Sequence, residues 1–112
     1  MELEQQLENG VMRLKVLERR LDARTAAGLK DKMAELIQAG NWRIALDLSQ
    51  VQFVDSSGLG AIVSARKQLG SNGDLVIGGA CDTLLSMFKL TRLDKVFRIF
   101  NQTDDAVAAL RQ

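Results

Sequence analysis

Histidine, proline and tyrosine are absent from this chain, and cysteine occurs once, as Cys81. Each absence removes a class of function. Without histidine there is no base for a Ser-His-Asp or Cys-His nucleophile system. A zinc site of the Cys/His type fails on ligand count alone, so no metal and no cofactor is expected. A lone cysteine excludes an intramolecular disulfide and suits a reducing cytoplasm. No apolar run approaches the ~20 residues that a membrane helix needs. The opening MELEQQLENG is polar and acidic, unlike a secretory signal peptide. Formal net charge is +1 with no basic block, which leaves no electrostatic footprint for nucleic acid or anionic lipid. The expectation is a cytoplasmic protein that is not an enzyme and has neither nucleic-acid nor membrane partners.

What is present describes a globular chain. The composition is 46% hydrophobic and 26% charged over 112 residues, enough to bury a core without disulfide or metal support. Residues 1–112 are therefore read as a single domain. Asn9-Gly10 separates two extended runs, and Asn-Gly is a strong hairpin signal because both residues tolerate positive φ. The run Val11 to Leu17 reads as a strand, and the polar run before it as an edge strand. In 21–40, Leu29, Met33, Leu36 and Ile37 recur at helical spacing. Asp22 or Thr25 is the candidate cap, and Gly40 the stop. Ile44, Leu46 and Leu48 alternate as a central strand. Val51 and Phe53 suggest a connector packed on the core, and Trp42 a cover over the core edge.

Residues 56–73 hold a helix with Leu59, Ile62, Val63 and Leu69 on one side, then a loop from Gly70 to Gly73. Asp74 to Ile77 reads as a short strand broken by Gly78-Gly79. Thr83 to Leu90 reads as a helix with Leu84, Leu85, Met87 and Phe88 inward; an exposed Phe88 would be a partner anchor. Val96 to Phe100 reads as the last strand, and Thr103 to Leu110 as a closing helix with Asp104 and Asp105 in its first turn. Strands separated by helices imply crossovers and parallel pairing. The fold class is α/β: a mixed sheet of about four to five strands with about four helices.

The stretch VDSSGLG (54–60) carries the chemistry. Asp55, Ser56 and Ser57 stand between a strand unit and an amphipathic helix. Four uses are open. Asp and Ser are preferred N-caps, with Gly58 and Gly60 allowing close packing. First-turn amides attract phosphate, but no lysine-bearing phosphate loop exists here. A serine on a strand-to-helix turn can be a nucleophile, but G-x-S-x-G and a histidine base are missing. A serine at a helix start can also be phosphorylated without breaking the fold, placing ~−1.5 to −2 charge where a partner would bind.

LDLSQVQFVDSSGLGAIVSARKQL (46–69) resembles the signature of STAS domains, specifically the bacterial anti-sigma factor antagonists. LDARTAAGLKDKM (21–33) and LVIGGACDTLLSMFKLTRLDKVFRIFNQTDDAVAAL (75–110) extend the resemblance over nearly the whole chain. It implies a single STAS domain working as a two-state switch. The unphosphorylated form binds an anti-sigma factor that is also a serine kinase, which releases a sigma factor. Phosphorylation turns binding off, and a PP2C-type phosphatase restores it. On this resemblance Ser56 is the acceptor. Ser57 is a cap or local hydrogen-bond partner, Asp55 shapes the loop, and Gly58 and Gly60 match loop glycines. Asp22 matches an acidic position on the partner-facing surface. The family's fold suits a monomer. One departure is Arg19, where relatives often carry a glycine two residues before Leu-Asp. The alternative within the same resemblance is a constitutive STAS interaction subunit of a scaffold or transport complex.

Overall fold

A computed structural model of the protein describes residues 1–111. Strands β1 (Leu3–Glu8) and β2 (Val11–Val16) form the antiparallel hairpin. Its turn places Asn9 at φ 52° and Gly10 at φ 82°, the pair of positive values that an Asn-Gly turn supplies. A short strand β3 (Arg20–Leu21) leads into helix α1 (Ala26–Gln38). Then follow β4 (Arg43–Asp47), β5 (Phe53–Val54), α2 (Ser56–Leu69), β6 (Asp74–Gly78), α3 (Asp82–Leu90), β7 (Ile99–Phe100) and α4 (Thr103–Leu110). The main sheet has the order β1-β2-β4-β6-β7, and all its pairings after the hairpin are parallel. This is the expected mixed α/β sheet with four helices. The two-residue strands β3 and β5 form a separate parallel pair.

Alternation along the strands divides the core in two. Met12, Leu14, Val16, Ile44, Leu46, Leu75 and Ile77 face α1, α2 and α3. Val11, Ala45 and Val76 face the other way, against Ala106, Val107 and Leu110 of α4. Gly78 has its reason on this second face. A Cβ there would overlap the backbone and side chain of Thr103, so glycine lets the start of α4 sit directly on β6. Arg13 ties this face together, donating to Asp104 Oδ1 at 2.6 Å and lying near Glu8 and Asp47.

Several expectations need correction. The last strand is only Ile99–Phe100, because β7 pairs with just Ile77 and Gly78. Val96 lies in the preceding turn, 55% exposed. On α2 the fully buried face is Gly58, Ala61, Ile62, Ala65 and Leu69, whereas Leu59 and Val63 are half-buried. Small residues let α2 lie close against its neighbours, and the larger Leu59 and Val63 stay at the flank. Phe88, by contrast, faces inward as expected, at 1% exposure, so the anchor role that exposure would have given it falls away. Trp42 is exposed and does not seal the core. Cys81 is half-buried, with its thiol near the Val51 carbonyl.

Phe88 is the largest of the fully buried side chains. Phe88→Ala is expected to cost about 3–5 kcal/mol of stability, read as a lower urea midpoint. Phe88→Leu should lose far less, since it keeps most of the volume.

Candidate functional site

The DSSG loop is built by backbone hydrogen bonds before any side chain acts. Leu48 N–H donates to Gly78 O, and Val51 N–H to Leu48 O, which turns the chain after β4. Gln52 and Phe53 N–H both donate to Arg19 O. Arg20 then pairs with Phe53 and Leu21 with Val54. Asp55 N–H donates to Leu21 O at 3.1 Å. The parallel register therefore lays residues 20–22 alongside 53–55.

Asp55 has extended backbone angles, φ −101° and ψ −172°, and is the N-cap of α2. Its Oδ1 accepts from Ser57 N–H at 2.8 Å and Gly58 N–H at 3.0 Å. One carboxylate oxygen thus serves two of the donors that a helix start leaves free. Ser57 is not the cap: it supplies an amide to Asp55, and its side chain is exposed. Ser56 is the first helical residue and is also exposed. Among the described residues, neither serine hydroxyl has a hydrogen-bond partner in the fold. With no histidine anywhere in the chain, no imidazole is available to activate Ser56. The hydroxyls of Ser56 and Ser57 are both open to solvent.

The two glycines differ. A Cβ on Gly58 would overlap Leu21 O and the Val54 side chain. Gly58 is the point where α2 touches the β3–β5 pair, and glycine is required for that close approach. Gly60 has open space around it and is exposed, so the expectation that it permits close packing is corrected. It lies four residues after Ser56, on the same helix face. The result is a low, side-chain-free surface one turn from the Ser56 hydroxyl.

Asp22 organises the neighbouring turn. Its Oδ1 accepts from Arg24 N–H at 3.0 Å, and its Oδ2 from Arg20 Nε at 3.3 Å. Asp22 N–H donates to Thr25 Oγ1 at 3.0 Å, and that hydroxyl donates to Arg20 O. Neither candidate cap serves α1 with its side chain; Ala26 N–H donates to the Asp22 backbone carbonyl instead. The Arg24 amide is the main cause that holds the Asp22 carboxyl below the ordinary aspartate value, with Arg20 adding to it against a desolvation cost.

The structure thus brings Asp22, Asp55, Ser56, Ser57 and Gly58 to one end of the β3–β5 pair. Sequence reading missed one contact. The Arg20 guanidinium lies 4.2 Å from the centroid of the Phe53 ring, and Phe53 is 37% exposed rather than packed on the core. Nothing local signals this contact, because thirty-three residues separate the two and only the β3–β5 register makes them neighbours. Among the described residues, no group of three or more His, Cys, Asp and Glu converges as a metal site. No described helix is long and apolar enough to cross a membrane.

Comparison with known proteins places this geometry in context. The family model described as STAS domain matches residues 2–106. The chain is similar to the anti-sigma-F factor antagonist RsfB of Mycobacterium tuberculosis, 28% identical over 91 residues, or 81% of this chain and 75% of the relative. It is similar to the anti-sigma-B factor antagonist of Listeria monocytogenes, 33% identical over 82 residues, or 72% of each. Among solved structures, an anti-sigma factor antagonist from Mycobacterium paratuberculosis superposes with a TM-score of 0.90. That pair is 25% identical, covering 99% of this chain and 94% of the other.

Two predictions follow from the loop itself. Asp55→Ala should cost about 0.5–2 kcal/mol, the loss of a helix cap. Gly58→Ala should cost about 1–3 kcal/mol by overpacking, whereas Gly60→Ala should stabilise by about 0.5–1 kcal/mol because Ala suits a helix interior better. Thermal melts of the three variants check the order; a destabilised Gly60→Ala would contradict the open space at that position. For Asp22, the folded carboxyl titrates below its unfolded value. Its contribution to stability is therefore full above the unfolded value and is lost as pH falls through the folded one. A carbon-detected titration should show the Asp22 midpoint under the ordinary aspartate value, with the Arg24 amide shifting in step. A midpoint at the ordinary value, or a silent Arg24 amide, would contradict the assignment.

Proposed function

Because the chain belongs to the STAS-domain family, we propose that it is an anti-sigma factor antagonist whose binding is switched by phosphorylation of Ser56. In this reading residues 1–112 form one STAS domain, a monomer that works in the cytoplasm as a binding protein. The unphosphorylated chain binds an anti-sigma factor that is also a serine kinase, and the sigma factor is released. The kinase transfers the terminal phosphoryl group of ATP to Ser56 Oγ, and a PP2C-type phosphatase removes it. Asp22, Asp55, Ser57, Gly58 and Gly60 form the loop and rim that the partner contacts.

The observation that supports this most is the division of labour between Asp55 and Ser56. Asp55 already accepts from the Ser57 and Gly58 amides, so Ser56 is not needed to hold the helix. Its hydroxyl is exposed beside the cap. A phosphate added there keeps the helix start intact, yet it enters a place where two of the first-turn amides are already taken. It stands next to the Asp55 carboxylate and faces the partner with ~−1.5 to −2 charge. The added charge acts on the interface by repulsion and desolvation while the fold is spared.

Incubation with ATP and the cognate kinase should place one phosphate on the wild-type chain, located by mass spectrometry at Ser56. Ser56→Ala should accept none; phosphate uptake at the full rate by that variant would move the site elsewhere. Calorimetry against the anti-sigma factor should rank affinity as wild type, then Ser56→Asp, then the phosphorylated chain, following their charge. Equal affinity of all three forms would end the switch mechanism.

A further inference from the structure

Away from Ser56, the end of α3 carries the most exposed large apolar side chain among the described residues. Leu90 is 84% exposed, and Val96 follows six residues later. Between them the chain makes a tight turn that is held at many points. Thr91 Oγ1 donates to Met87 O at 2.7 Å, Arg92 N–H to Lys89 O, Lys95 N–H to Arg92 O and Phe97 N–H to Leu93 O. Arg92 has φ 61°, a left-handed conformation that a non-glycine residue adopts at a cost. Buried Phe88 and Phe97 anchor the segment on both sides. The turn is therefore a preformed feature rather than a frayed helix end.

Its charge is one-sided. Lys89, Arg92 and Lys95 are exposed, against the single carboxylate of Asp94. None of the three cations forms a salt bridge among the described residues. An open, shallow hollow lined by Ser86, Lys89 and Leu90 lies on the α3 side of the turn. Last-turn cations suit a helix C-terminus, but Lys89 already fills that role and Thr91 already serves the Met87 carbonyl. The dipole does not call for Arg92 and Lys95, nor does it explain an apolar side chain left in water.

We propose that this turn is a second docking surface, which binds an acidic amphipathic segment of another protein. One apolar side chain of that segment seats in the hollow against Leu90, and its carboxylates face Lys89, Arg92 and Lys95. Charge complementarity favours a peptide segment over a lipid leaflet. A leaflet would meet only two apolar side chains here, with Asp94 between the cations. The surface lies at the far end of α3 from the Cys81–Val51 contact, about 13 Å along a helix of nine residues. It does not depend on Ser56 or on the antagonist reading.

The test uses the whole isotope-labelled chain and three probes. The first is a synthetic helix-forming peptide rich in glutamate with leucines one turn apart. The second is the same peptide with lysine in place of glutamate. The third is phosphatidylcholine vesicles containing phosphatidylglycerol. The acidic peptide should shift the amides of Leu90, Arg92 and Val96, with affinity falling as salt is raised. Leu90→Glu, at a side chain the fold does not bury, should weaken that binding about tenfold or more. Lys89→Glu with Lys95→Glu should transfer the response to the basic peptide. No shift at the turn, equal response to both peptides, or a response to vesicles alone would overturn the proposal.

Discussion

The structure around Ser56 depends on one close backbone contact. Helix α2 begins where Gly58 lies against the carbonyl oxygen of Leu21, with no room for a Cβ. That carbonyl also accepts the Asp55 amide. A single oxygen on β3 therefore sets both where the loop ends and where the helix begins. Any side chain at Gly58 pushes the two apart. The positions of the Asp55 cap and the Ser56 hydroxyl follow from that contact, beside the Arg20–Phe53 stack that the β3–β5 register sets.

This constraint separates holding the fold from presenting the site. The holding is done by backbone groups, by Asp55 and by Gly58. The side chains of Ser56 and Ser57 and the Cβ-less face of Gly60 are left on the surface without a structural task. A glycine inside a helix costs about 0.5–1 kcal/mol relative to alanine, and at Gly60 no intramolecular contact offsets it. The cost is matched by a flat approach beside Ser56, which is what the proposed partner contact requires. The main core lies behind this end of the molecule. Its three helices pack on one sheet face, while α4 alone covers the other and is secured by Arg13 and Asp104.

Much of the fold was legible because its signals are local. The Asn9-Gly10 turn, the alternation in β2 and β4, and the helical spacing in α1 are properties of short windows. The site was legible as a segment, since an acid followed by two serines and a glycine marks a helix start. The misses share one cause. Val96 was read as strand, but a strand exists only where a partner strand runs beside it, and β7 reaches only Ile77 and Gly78. The sequence suggests Phe53 as part of a connector packed on the core, but its ring faces Arg20 through a pairing that no short window contains. Gly60 was read with Gly58, although one glycine meets a backbone oxygen and the other meets nothing.

Composition alone removed histidine-based catalysis and Cys/His zinc sites, because chemistry that needs a residue type cannot proceed without it. The order of residues alone determined the alternation of strands and helices and the helix start at VDSSGLG. Tertiary structure decided which neighbour does what within that start. Asp55 caps because its extended backbone points a carboxylate oxygen back at two amides, and its place is set by the Leu21 carbonyl. The hydroxyls of Ser56 and Ser57 are both left free for the same reason. The two serines are adjacent and chemically identical, and both hydroxyls are exposed and unbonded; the geometry sets apart only the Ser57 amide, which completes the cap, and the choice of Ser56 as acceptor rests on the family resemblance.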